Sequence, residues 1–136
     1  MVEEIVQAQS MAAGAVSIQA PPELGVIFDR GHLNQIVWNL VRNAWQHCQK
    51  KEASIRVVVR PGYMGDAVIC ELSDDGPGIP AELRAQIFEP FFTTRPGGTG
   101  LGLYIARELA DANGATLELL PRGPGANFRM TLKRAA

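Results

Sequence analysis

The chain has 136 residues, 46% of them hydrophobic and 20% charged, with a formal net charge of -1 and a pI near 6.1; that length suits one domain with a single core, and no second is expected. A charge this close to zero excludes a general pull on nucleic acid or an anionic membrane, so any phosphate handling must be local. No apolar run approaches the ~18 residues of a membrane span and Met1-Val2-Glu3-Glu4 is no basic leader, so the piece is expected to be soluble, with any membrane contact of a parent protein made elsewhere.

Residues 2 to about 13 read as a short, weakly amphipathic helix ended by Gly14, the cut start of something longer. Val16 to Gln19 and Gly25 to Phe28 read as two short strands around the Pro21-Pro22 turn. Asp29 then caps a helix predicted to run to about Gln49, because its carboxylate can accept from the amides two and three residues on. Leu33, Ile36, Val37, Leu40, Ala44 and Cys48 recur at steps of three and four and form its core stripe. Beside them Gln35, Asn39, Asn43 and His47 follow one another at steps of four, a row of uncharged polar groups along one edge. Asn is a poor helix former, so helix stability does not explain two of them one turn apart. Amide oxygens suit a hard cation and bridging waters, as Mg²⁺ carrying phosphates would need; the plainer alternative is two amides satisfying buried backbone or water.

Ile55, Val57 and Val59 alternate with Arg56, Val58 and Arg60, and residues 61–66 turn the chain into the run Ala67 to Leu72, an antiparallel hairpin. Cys48 and Cys70 stand at no metal-ligand spacing and read as small core residues in a reducing compartment. The second strand leads into Ser73-Asp74-Asp75-Gly76-Pro77-Gly78-Ile79-Pro80. A carboxylate pair entering a glycine-rich turn delivers a fixed acceptor into a cleft, and Gly76 and Gly78 let the backbone turn with positive φ and let a flat ligand approach. Such a carboxylate can accept from an exocyclic amine such as that of adenine; an ordinary Asp-capped turn is the plainer alternative.

A short helix is predicted over Ala81 to Phe88, then an aperiodic flap, Glu89 to Pro96, with Phe88, Phe91 and Phe92 as candidate anchors or ordinary core. Gly97 to Gly102 opens a further helix that stops at Asn113-Gly114. Glycines at a helix start expose free amides and the positive end of the helix dipole, an anion site. Leu103 rules out the dinucleotide fingerprint, and Leu103-Tyr104 after Gly102 rules out the P-loop. Ala115 to Leu120 and Ala126 to Leu132 close the chain as a hairpin. The order predicts an α/β sandwich of two layers, a mixed sheet with its helices on one face and a cleft between helix and flap.

Asn39-Leu40-Val41-Arg42-Asn43-Ala44, Asp74-Asp75-Gly76-Pro77-Gly78-Ile79 and Gly98-Thr99-Gly100-Leu101-Gly102-Leu103, in this order and with Phe88-Glu89-Pro90-Phe91-Phe92 between the last two, resemble the catalytic ATP-binding domain of bacterial two-component sensor histidine kinases. The resemblance covers nearly the whole chain, and Asn39 to Trp45 with Glu89 to Thr94 look nearest to the nitrogen- and pilus-regulation kinases. It implies a Bergerat-type fold, mostly antiparallel, and one ATP-binding domain over residues 1–136 that uses ATP and Mg²⁺. By it Asp74 would accept from the adenine amino group in a pocket shaped by Gly76, Gly78 and Ile79. Asn43 would hold Mg²⁺ against the phosphates, with Asn39 helping through water or a phosphate oxygen and His47 beside the nucleotide. Gly98, Gly100 and Gly102, with the amides of Thr99, Leu101 and Leu103, would cradle the triphosphate. Residues 80–98 would form a lid carrying Thr94 and Arg95, the latter the cation for the γ-phosphate. Gln46 departs from the Lys or Arg the family often has there.

The acceptor is missing: sensor kinases carry a phosphoacceptor His followed by Glu or Asp, whereas His32 precedes Leu33 and His47 precedes Cys48. The resemblance therefore implies a cytoplasmic domain, monomeric in isolation, that phosphorylates a histidine on its own dimerisation domain and through the full-length kinase serves a response regulator, with no nucleic-acid or direct membrane contact. Gyrase- and mismatch-repair-type ATPases look alike but carry a water-activating Glu where this chain has Asn39, an amide with no basicity. An anti-sigma serine kinase on the same fold, or a nucleotide-sensing scaffold without chemistry, are the remaining readings.

Overall fold

The computed structural model describes residues 16–21, 24–51, 53–63, 65–93, 100–121 and 125–135, so the helix expected before Gly14 lies outside the described residues. Strands β1 (Val16–Gln19), β2 (Val26–Ile27), β3 (Ile55–Pro61), β4 (Ala67–Asp74), β5 (Thr116–Leu119) and β6 (Asn127–Arg134) form one sheet. Its order is β1-β3-β4-β6, with β2 and β5 both on the outer edge of β6. β1 runs parallel to β3 and every other pairing is antiparallel. The two short strands expected on either side of Pro21-Pro22 thus lie at opposite edges of the sheet, and the second keeps only two residues because only Val26 and Ile27 meet Arg134 and Lys133.

Alternation along the strands sorts the two faces. Ile55 and Val57, Val68 and Leu72, Leu117, and Phe128, Met130 and Leu132 are buried on one face. The other face carries surface ion pairs, Arg60 to Glu71 and Arg129 to Glu118, each at 2.9 Å. Such pairs keep a face solvated and add little stability. Helices α1 (Arg30–His47) and α2 (Gly102–Ala112) cover the apolar face, as the two-layer expectation requires. Cys48 and Cys70 are both free, and burial pushes the Cys70 thiol up to about 11, consistent with inert packing residues.

Asp29 caps α1 as expected, its Oδ1 accepting from the His32 amide at 2.9 Å. The helix ends at His47, two residues early, where Cys48 turns extended. Buried Ile36, Val37, Leu40, Ala44 and Cys48 confirm the predicted stripe, and Val41 joins it. The helices run antiparallel, with both ends of α2 pinned to α1. Near the middle of α1 the Asn39 amide donates to the Gly102 carbonyl at 3.2 Å. At the far end Asn113 Oδ1 accepts from the Asp29 amide at 2.9 Å, while its Nδ2 donates to Leu109 O at 2.8 Å and lies 3.0 Å from His32 Nδ1.

Between β4 and α2 only Ala81–Leu83 is helical, as a 3₁₀ turn, and the helix expected to Phe88 does not form. The amides of Leu83, Gln86 and Glu89 each reach back three residues, to Pro80, Leu83 and Gln86, so this stretch is a chain of turns. Phe88 meets Phe128 edge-on at 6.1 Å, with the Arg107 guanidinium 4.2 Å over its ring, and Phe92 also packs on the core. Phe91 stays 75% exposed, so two of the three phenylalanines are anchors. Phe128→Ala should cost about 3–5 kcal/mol in urea unfolding and Asp29→Ala about 1 kcal/mol; a Phe128 variant no less stable than the Asp29 one would contradict this core.

Candidate nucleotide site

Where α1 outruns the start of α2, a cleft of about 390 Å³ opens between its polar row and the segment after β4. Asn39, Asn43 and His47 line it, and Gln35, at the start of the row, does not. Asn43 is half-buried and its amide makes no hydrogen bond among the described residues, so its oxygen is available to a ligand. The Asn39 amide is partly committed to Gly102, a tie that sequence spacing could not reveal. Gln46 and Arg42 share the same wall.

Opposite them stands Asp74, the last residue of β4 and only 7% exposed. Its backbone amide donates to Ala126 O at 3.1 Å, and its Oδ1 accepts from the amides of Gly76 at 2.8 Å and Ala126 at 3.4 Å. Oδ2 has no partner among the described residues and remains an acceptor for a ligand. Burial pushes the Asp74 carboxyl above the usual range, and the Gly76 and Ala126 amides oppose the rise. Ala126 has no counterpart in the sequence reading: it comes 52 residues later and arrives through the β4–β6 register, which pairs Ser73 with Asn127.

Gly76 and Gly78 play different parts. Gly78 takes the expected positive φ, at 79°. Gly76 does not; it is needed because a Cβ there would lie 2.4 Å from the His47 carbonyl oxygen. Ile79 lines the cleft, with Leu83 and Ile87 extending its apolar wall at a spacing of four.

The far end of the cleft is the start of α2. Leu101 supplies no side-chain cap, so the first amides, from Gly102 on, are left open toward it. Gly100, Gly102 and Leu103 line the cleft, and half-buried Leu101 adjoins it. Gly100 has φ 72° and its carbonyl accepts from the Phe91 amide at 2.9 Å, so close that a Cβ would meet the Phe91 backbone at 2.4 Å. Thr94, Arg95, Gly98 and Thr99 lie outside the described residues.

A carboxylate acceptor, an unpaired amide and an open helix N-terminus around one cleft suit a nucleotide. Residues 28–136 match the family model described as histidine kinase-, DNA gyrase B-, and HSP90-like ATPase. The chain belongs to that family. It is 34% identical to the nitrogen regulation protein NtrY of Azorhizobium caulinodans, over 85% of this chain and 16% of that protein. It is 39% identical to the sensor protein kinase PilS of Pseudomonas aeruginosa, over 76% of this chain and 20% of that one. Among solved structures, a nucleotide-free catalytic domain of the histidine kinase ThkA superposes with a TM-score of 0.81 at 28% identity, covering 99% of this chain and 92% of that one. Full-length ShkA, solved in complex with AMPPNP, gives 0.74 at 28% identity over 100% of this chain and 31% of that one.

The chain therefore carries the fold and sequence of a sensor histidine kinase catalytic domain, while spanning a fifth or less of NtrY and PilS. The resemblance to nitrogen- and pilus-regulation kinases is met by these two relatives. Among the described residues no helix is long and apolar enough to cross a membrane.

Gly100→Ala and Gly102→Ala should separate folding from binding. The first should destabilise by about 1–3 kcal/mol, through its left-handed backbone and the Phe91 clash. At Gly102 a Cβ meets nothing within 4 Å, so the melting temperature should hold or rise while ATP affinity falls, since the methyl group would crowd a phosphate at the helix start. Unchanged affinity in Gly102→Ala, measured by calorimetry, would remove α2 from the site.

Proposed function

We propose that the domain binds Mg-ATP in this cleft, with the adenine amino group on Asp74, and donates the γ-phosphate to a histidine on a separate dimerisation domain of the same protein in two-component signalling. The observation that carries this reading is Asp74 facing Asn43 and the opening turn of α2 across one cleft of nucleotide size. The AMPPNP complex of ShkA, whose fold this chain shares, supports it.

Mg²⁺ fits the donor set: Asn43 offers a neutral, unpaired amide oxygen, a hard ligand suited to an ion that keeps waters and takes its other ligands from phosphate. Among the described residues no group of three His, Cys, Asp or Glu could cage a metal by itself. When bound it would neutralise charge on the phosphates. The chain's own residues orient the nucleotide: Asp74 at the base, Asn43 at the phosphates, and the amides from Gly102 on along the triphosphate, with Arg95 the expected cation for the γ-phosphate. Phosphoryl transfer asks for this positioning more than for covalent help. Asn39 has no basicity and already donates to Gly102, so activation of water, and with it hydrolysis, is disfavoured.

Neither histidine suits the acceptor role: His32 is engaged with Asn113 at the far end of α1, and His47 lines the cleft. The acceptor then belongs to the dimerisation domain of a longer, cytoplasm-facing kinase, membrane-anchored or not, whose phosphoryl group passes to a response regulator. Mixing the chain with γ-labelled Mg-ATP and the parent kinase's histidine-bearing domain should give acid-labile label on that domain alone, lost in Asn43→Ala. Label on the chain itself, or none on the partner, would contradict the reading.

The raised Asp74 carboxyl fixes a pH dependence. The adenine contact needs the ionised form, so affinity is full above the Asp74 pKa and is lost as pH falls through it. Because that pKa lies above the ordinary ~3.9, the loss should begin at higher pH than a solvated Asp would give, and Asp74→Asn should abolish that step in calorimetric titrations.

A further inference from the structure

We infer that Asp75 is a positioning residue for nucleotide recognition: it fastens the adenine-side turn to the end of α1 and thereby sets where Asp74 presents its carboxylate. This rests on the adenine reading of Asp74.

The two neighbouring carboxylates part company at the end of β4. Asp74 faces the cleft, whereas Asp75 turns to the loop that leaves α1. Its Oδ1 accepts from the Gln49 amide at 2.8 Å and its Oδ2 from Ser54 Oγ at 2.7 Å. Its backbone is tied to the same loop, the amide donating to Ser54 O at 3.0 Å and the carbonyl accepting from Gln49 Nε2 at 3.1 Å. Ser54, 2% exposed, also accepts from the Lys51 amide at 2.9 Å. All four of these hydrogen bonds of Asp75 thus go to Gln49 and Ser54, in the loop between α1 and β3.

That loop does not hold its shape by preference. Lys50 and Ala53 sit at φ 57° and 53°, a left-handed conformation that L-residues avoid. The Asp75 bonds offset that strain. Just beyond, the His47 carbonyl abuts Gly76 with no space for a methyl group. The end of α1, one turn past Asn43, therefore rests on the residue whose amide orients Asp74 Oδ1. Released from Asp75, the loop can relax, the contact at Gly76 loosens, and the spacing between Asn43 and Asp74 is no longer fixed. The Asp75 carboxyl is held below the usual range, chiefly by the Gln49 amide and further by Ser54, as expected of a carboxylate committed to these donors.

The preference for ATP over GTP reads this placement, because guanine puts a carbonyl where adenine puts its amino group while the triphosphates are the same. A merely structural Asp75 would lower both affinities alike. Calorimetric titration of the chain with Mg-ATP and Mg-GTP should show Asp75→Ala losing about tenfold in ATP affinity with GTP affinity held within about twofold, the equivalent of one well-made hydrogen bond. Asp75→Asn, which keeps an acceptor for the Gln49 amide, should restore most of the preference. Ser54→Ala, which removes one of the two side-chain bonds, should lose about threefold of it and add little to Asp75→Ala, because the two act as one unit. Should Asp75→Ala fail to fold, Ser54→Ala carries the same test.

Loss of preference in Asp74→Asn with full preference in Asp75→Ala and Ser54→Ala would overturn this inference alone. Full preference in Asp74→Asn would overturn the adenine reading and this inference with it. An equal fall for both nucleotides in the Asp75 and Ser54 variants would reduce Asp75 to a stability role.

Discussion

Two backbone amides, those of Gly76 and Ala126, converge on Oδ1 of a carboxylate that is almost out of solvent, and the organisation of the cleft follows from that contact. Burying a carboxylate is costly unless donors compensate it. Here the donors come from the turn after β4 and from the residue entering β6, so Asp74 is held in place only when both strands are in register. The strands in turn are held by the apolar face that α1 and α2 cover. A side chain that can recognise a base is thus fixed by main-chain groups, which cannot rotate away.

The second constraint is the antiparallel pairing of the helices. Asn39 ties α1 to the first residue of α2, and Asn113 ties the end of α2 to the start of α1. Between these ties lie the buried residues Ile36 and Val37 on α1, with the small buried Ala106 and Ala110 on α2. Beyond the Asn39 tie α1 continues alone for two more turns, and those turns carry Asn43 and His47 into the cleft. The polar row on α1 is therefore divided in use: one amide spaces the helices, the next is left for a ligand.

Much of this was legible in the chain itself. The three-and-four spacing of α1 and the alternation of β3, β4 and β6 are local patterns, and each fell where its period put it; of the glycine segments, Gly78, Gly100 and Gly102 line the cleft. What escaped was non-local or steric. Nothing near Asp74 announces Ala126, and nothing near Asn39 announces Gly102, because both partners arrive through tertiary register. Gly76 looked like a residue wanted for its φ and proved to be wanted for its missing Cβ against His47. The 81–88 stretch has helical composition, yet its bonds all close over three residues and only one 3₁₀ turn forms. The paired aspartates read as one feature in the sequence, whereas the fold sends them to opposite sides of the β4 terminus.

Calorimetric titration of the chain and of Asp74→Asn with ATP, with and without Mg²⁺, would show whether the buried Asp74 carboxylate recognises the adenine ring. Recognition by Asp74 should give saturable binding by the native chain, tightened by Mg²⁺, and a loss of about tenfold or more in the variant without loss of the fold. Equal binding by the two proteins would contradict it.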